Sequence, residues 1–195
     1  MGDKAQFNFL LTTSHDLQIN PQKIIYSGAA VGENEFSQIF PSSEFHTTDI
    51  APSEKIDKVW DLEESPIQEM IGYYDLFIST SVLEHVKRPW IAARNIEQVV
   101  STGGYIYISV PWAWDFHEFP GDYWRFSHQA LDVLFEKSIP LTTAWNTYPD
   151  CILYKHDPYI DRTMTMRSTG NLENGTEFNR RGVPLLLLNQ IRQKK

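Results

Sequence analysis

The chain has 195 residues, enough for one domain with a real core and too few for two comfortable ones. Apolar residues at 42%, aromatics at 13% and a net charge of −8 fit a globular protein and argue against a duplex nucleic acid partner, which wants clustered Lys and Arg. The single cysteine, Cys151, excludes an intramolecular disulfide and makes a reducing, cytoplasmic setting the expectation; no signal-peptide pattern and no apolar run of membrane-spanning length is read.

Residues 1–21 are polar and mixed and predict a short helix or a flexible lead. Lys23 to Ser27 predicts a first strand, which runs into Gly28-Ala29-Ala30-Val31-Gly32. From Glu33 to Phe40 a helical face carries Phe36, Ile39 and Phe40, and Pro41-Ser42-Ser43 breaks it. Glu44 to Asp49 predicts a second strand ending in an acid, Lys58 to Leu62 a weaker third with Asp61 near its end, and 66–73 a helix. Asp75 to Ser81 is an apolar run short enough for a buried strand. Leu83-Glu84-His85-Val86 follows, then a helix opened by Pro89, where a missing N–H costs little, and stopped by Gly103-Gly104. Tyr105 to Val110 predicts another buried strand, ending at Pro111. Beyond it lies a polar-aromatic cluster of His117, Pro120, Asp122, Tyr123, Trp124 and Arg125. Ser127 suits a helix N-cap, with Ala130, Leu131, Leu134 and Phe135 lining the helix face. Leu141 to Tyr148 and Leu185 to Leu188 read as late strands. Residues 155–183 are rich in Asp, Arg, Asn, Thr and Gly, lack core periodicity, and are expected to be a flap or a disordered insertion. Strands alternating with helices mean an α/β domain spanning 1–195, its mostly parallel sheet covered on both faces.

The order Asp75-Leu76-Phe77-Ile78, Val82-Leu83-Glu84-His85-Val86, Gly103-Gly104 and Pro111 resembles the class I S-adenosylmethionine (SAM) dependent methyltransferases. The tail Pro120-x-Asp122-Tyr123-Trp124-Arg125-Phe126 is similar to one found in a type 11/12-like branch of that superfamily, whose members tailor sugars, glycolipids and other small metabolites. The resemblance covers residues 22 to 137. It implies a Rossmann-like, doubly wound sheet of about seven strands with the seventh antiparallel.

It also implies SAM as cofactor and a small-molecule or glycan acceptor, methylated at oxygen. The expected cofactor contacts are the turn Gly28, Ala30 and Gly32, the ribose acid Asp49 with Ile50, the adenine-side Asp61 with Leu62, and the flanking Ser79 and Ser81. Two positions depart from the family turn: Tyr26 stands where an acid is usual, and Ala30 where a glycine is. Those departures motivate an alternative, a catalytically impaired protein of this fold acting as a SAM-binding or regulatory subunit. A nicotinamide-dependent oxidoreductase would want G-x-G-x-x-G, and this turn offers only Gly28 and Gly32.

For chemistry, the loop after the fifth strand offers His117, with Asp122 and Tyr123 next in line. Imidazole titrates near neutral pH and suits a general base. His85 is a further candidate, although Glu84 and His85 are expected mainly to shape the pocket floor. Trp112, Trp114, Phe116 and Trp124 suit an apolar wall, and Asp122 with Arg125 suits a structural ion pair. No metal-ligand motif is read.

Overall fold

A computed structural model describes residues 4–28, 35–114, 116–117, 121–148, 153–155 and 185–195. Its elements are α1 (Lys4–Asp16), β1 (Lys23–Ser27), β2 (Glu44–Asp49), β3 (Lys58–Val59), β4 (Tyr74–Thr80), α2 (Pro89–Val99), β5 (Val100–Ala113), α3 (His128–Leu134), β6 (Ser138–Tyr148), β7 (Leu153–Lys155) and β8 (Leu185–Lys194). They form one eight-stranded sheet in the order β3-β2-β1-β4-β5-β8-β6-β7. Strands β1 to β5 pair in parallel, and β8 runs antiparallel to both β5 and β6. This is the doubly wound α/β sheet expected, with β8 inserted antiparallel near its edge and β7, antiparallel to β6, as an eighth, edge strand.

The strands read as continuous apolar runs because both faces of the sheet are covered. Side chains alternate between two clusters. Ile24, Tyr26, Leu76, Ile78 and Tyr107 point to one face, where Phe9 and Leu10 of α1 and Phe36 cover them. Ile25, Phe77, Ile106 and Ile108 point to the other, beneath Ala92, Ala93, Ile96 and Val99 of α2 and Leu131 of α3. The polar-looking lead is therefore a packed helix: Ala5, Phe9 and Leu10 lie on one stripe and are buried, while Leu11 is exposed.

Several expected bounds move. The helix after β1 is, among the described residues, only a 3₁₀ turn at Glu35–Gln38, and the one expected at 66–73 is a 3₁₀ turn at Gln68–Met70. β3 has two residues, since Trp60 and Leu62 leave the ladder to pack in the core. Gly103-Gly104 does not stop α2, which ends at Val99; the chain is already extended at Val100 and Gly103 turns it at φ +79°. β5 continues through Pro111, whose missing N–H costs no bond to β4 because that ladder ends at Ser109. β6 begins at Ser138 and β8 continues to Lys194. Apart from Lys155, which closes β7, the expected flap at 155–183 lies outside the described residues.

Candidate active site at the carboxyl ends of the parallel strands

Strands β1, β2, β4 and β5 share a direction, so their carboxyl ends lie along one edge, and chemistry in open α/β sheets collects there. Gly28 follows β1 at φ +108°, and a Cβ there would sit 2.8 Å from the Thr80 carbonyl oxygen. The turn thus needs glycine both for its backbone angle and for its close approach to β4. Ala30 and Gly32 lie outside the described residues. Tyr26 is buried; its hydroxyl donates to the Gly28 carbonyl at 3.4 Å and pairs with Thr80 Oγ1 at 3.1 Å. It ties the β1 turn to β4, and burial raises its phenol's pKa, which keeps it neutral.

Asp49 closes β2. Its Oδ1 accepts from the Ala51 N–H at 3.1 Å, and Ile50 beside it is 63% exposed. Asp61 Oδ1 accepts from the Glu63 N–H at 2.8 Å. Leu62 is in the core, and its carbonyl accepts from Asn95 Nδ2 at 2.9 Å. Ser79 is fully buried with an Oγ that has no hydrogen-bond partner. Ser81, at φ +53°, donates its N–H to the Ser109 carbonyl at 2.9 Å.

The loop after β4 and the loop after β5 meet. The His85 Nδ1–H donates to the Gly121 carbonyl, and the Tyr123 N–H donates to the Glu84 carbonyl at 2.8 Å. The Phe126 N–H returns to the Pro111 carbonyl at 3.0 Å. The His85 and His117 rings stand edge to face with centroids 5.0 Å apart. His117 Nδ1 lies 3.3 Å from Asp122 Oδ2, which also accepts the His117 backbone N–H at 2.9 Å. Asp122 is the buried centre of this loop. Arg125 donates to both its oxygens, through Nη1 to Oδ1 and through Nη2 to Oδ2 at 2.7 Å. That bidentate pair holds the Asp122 carboxyl far below the usual carboxylate range, so it is an anion that orients its neighbours and a poor base. Glu84 is the opposite case. It is 1% exposed, Oε2 has no partner, and burial pushes its carboxyl up to about 8.

The expected aromatic wall divides. Trp112 packs on the core and its ring meets Trp145 at 6.2 Å, whereas Phe116, Tyr123 and Trp124 are exposed. Trp124 donates its Nε1–H to the Val86 carbonyl at 2.9 Å and stands edge to face with Trp90. What sequence reading missed is the adjacency of Glu84, His85 and His117. Their chain separation hides it, and only the strand order β4-β5 brings the two loops together.

Residues 41–108, from ahead of β2 to well within β5, match the family model of a methyltransferase domain. That is an enzyme domain, and SAM is the cofactor it implies. No curated protein matches the chain. Among solved structures, the chain is similar to a Burkholderia thailandensis 1,6-didemethyltoxoflavin-N1-methyltransferase with bound 1,6-didemethyltoxoflavin and S-adenosylhomocysteine. The identity is 12% with a TM-score of 0.64, covering 99% of this chain and 80% of that one. It is also similar to the N-methyltransferase NodS from Bradyrhizobium japonicum WM9 in complex with S-adenosylhomocysteine, at 12% identity and TM-score 0.60, covering 98% and 88%. The [4+2]-cyclase SpnF shares the fold at 11% identity and TM-score 0.60, covering 96% and 80%. At these identities the likeness is one of fold.

Proposed function

We propose that the chain is a SAM-dependent methyltransferase that acts on a small-molecule or glycan acceptor, at oxygen. The observation that carries this reading is the methyltransferase-domain match across β2 to β5, with polar groups gathered at the carboxyl edge of those same strands. The residues fit the cofactor in specific ways. Asp49 keeps Oδ2 clear of its turn bond and is the acid for the ribose hydroxyls. Exposed Ile50 suits the adenine face, Asp61 its amine, and Ser79 Oγ is an orphaned polar atom at the end of β4. Gly28 lets the backbone come close, and Ser81 shapes the adjoining turn. Bound there, the cofactor supplies an electrophilic methyl on sulfonium. The protein's part is to place the acceptor in line and to take its proton. His117, oriented by Asp122, is the group assigned to that proton, with His85 behind it and exposed Tyr123 on the acceptor side.

Asp49→Ala tests the reading. It removes charge-assisted bonds worth roughly 1.5–3 kcal/mol each, so calorimetry should show S-adenosylhomocysteine binding at least about tenfold weaker. Unchanged affinity would sink the ribose assignment. Loss of methyl transfer in His117→Ala with cofactor affinity intact is the matching requirement at the acceptor end.

A second reading is a subunit of this fold that binds SAM without turning it over. It is favoured by Tyr26, whose hydroxyl is spent on the β1–β4 tie. A measurable turnover of SAM by the chain alone would dismiss it.

A further inference from the structure

Two imidazoles and a buried carboxylate come together where the β4 and β5 loops meet. Glu84, His85 and His117 each offer a donor atom, and these atoms all lie within 4.8 Å of one another. Among the described residues they are the one such group. We propose that Glu84, His85 and His117 bind a first-row divalent transition metal ion.

Four features of the site support this. First, Glu84 Oε2 is buried without a hydrogen-bond partner in a side chain that is 1% exposed. An orphaned carboxylate oxygen at such depth is expensive, and coordination is one of the few ways to satisfy it. Second, the His85 tautomer is set. A carbonyl only accepts, so the contact with Gly121 puts the hydrogen on Nδ1 and the lone pair on Nε2, which faces Glu84 Oε1 at 4.0 Å. Third, the Asp122 carboxylate stands beside the His117 ring. A carboxylate at 3.3 Å from Nδ1 favours the Nδ1–H form, which leaves the lone pair on Nε2. A ring nitrogen bonded to a carbonyl or carboxylate behind each ligating imidazole is the usual support of a histidine metal site. Fourth, the charges suit a cation. Arg125, the nearby positive group, pairs bidentately with Asp122 rather than with Glu84.

A His₂Glu set fits Zn²⁺ or a similar ion and leaves a coordination position open. Donor atoms on a tetrahedral ion stand roughly 3.3 Å apart, given bonds of about 2 Å, so the donor atoms need to draw together by up to about 1.5 Å.

The ion's role rests on the methyltransferase reading, although its binding does not. With an ion present His117 is a ligand, and the acceptor hydroxyl loses its proton to solvent because its oxygen is coordinated. The oxygen–methyl bond then forms as the sulfur–methyl bond breaks, and the electron pair stays on sulfur. The acceptor class this favours is one whose hydroxyl oxygen can take the one position that three protein ligands leave open on a tetrahedral ion.

The test uses the full chain without a histidine tag, stripped with chelator and titrated with Co²⁺ and Zn²⁺. Co²⁺ should bind one to one and give visible d–d bands that Zn²⁺ abolishes. Glu84→Gln, which keeps the buried shape, and His117→Ala, on the half-exposed loop, should each weaken Co²⁺ binding at least tenfold. His15→Ala, on the far surface of α1, should leave it unchanged. Circular dichroism on each variant separates loss of the ion from loss of the fold. No stoichiometric Co²⁺, or equal binding in Glu84→Gln and His117→Ala, would overturn the proposal. A chain that takes S-adenosylhomocysteine but no ion sinks only the ion. One that takes the ion but no S-adenosylhomocysteine sinks the methyltransferase reading.

Discussion

Single side chains decide most of what is unusual here, and Gly28 is the clearest. Its φ of +108° lies in the region that side chains avoid, and a Cβ would meet Thr80 O at 2.8 Å and Val82 Cγ2 at 3.1 Å. The first of those is backbone, which cannot swing aside. Gly28→Ala should therefore destabilise the fold by about 2 kcal/mol or more, combining left-handed strain with displacement of β4. Urea unfolding reads this directly, and a change within about 0.5 kcal/mol, the usual range for an innocuous surface substitution, would show that the turn relaxes freely. The sequence made Gly28 legible because glycine advertises its own freedom. It did not show why Tyr26 replaces an acid. The answer needs Thr80, 54 positions away, as the phenol's partner. Glu84 is similar: nothing local says that its carboxylate is orphaned rather than solvated.

The elements follow their local signals where a signal is chemical, and depart from them where tertiary packing decides. Pro89 opens α2 and Ser127 caps α3, as read. The Ser127 side chain accepts the Ala130 N–H at 3.1 Å, at the head of a helix of only seven residues. So short a helix has little intrinsic stability and relies on its cap and on buried Leu131. Ser127→Ala should cost about 1 kcal/mol. Ser127→Asp, which can still cap, should recover most of it in the same denaturation series. Equal losses in both would mean that the hydroxyl is not acting as a cap. The helices expected at 33–40 and 66–73 fail for a different reason. Their apolar residues do bury, with Phe36 and Met70 both in the core, but a single 3₁₀ turn is enough to seat each one. A periodic pattern reports which side chains go inward, and not how many turns it takes.

At the scale of the whole molecule, the strands β6 and β8 were readable as strands, but the local pattern did not show how they pair, and the antiparallel strand came only from the resemblance. β1 to β5 announce themselves by alternation with turns and helices, and their carboxyl ends carry the acids and the loops. β8 enters between β5 and β6 from the end of the chain, a pairing that no local pattern encodes. Burial across this sheet also sets how the fold responds to alkali. Tyr74 opens β4, is 1% exposed, and has its hydroxyl 3.1 Å from His46 Nδ1. Burial, with Tyr73, Glu44 and Asp57 nearby, pushes its phenol up to about 12. An unfolded tyrosine ionises near 10. Between those values the unfolded chain releases a proton that the folded chain keeps, so the neutral phenol's contribution is complete below about pH 10 and disappears as pH rises towards 12. Two pH units correspond to a loss of up to about 3 kcal/mol. Tyr74→Phe removes the ionisable group but keeps the ring in the core. Its stability should start lower through the lost His46 contact, and then fall less steeply than the wild type's from pH 10 to 12. The comparison is between slopes, so the starting offset does not matter; parallel curves would place the alkaline sensitivity at another tyrosine.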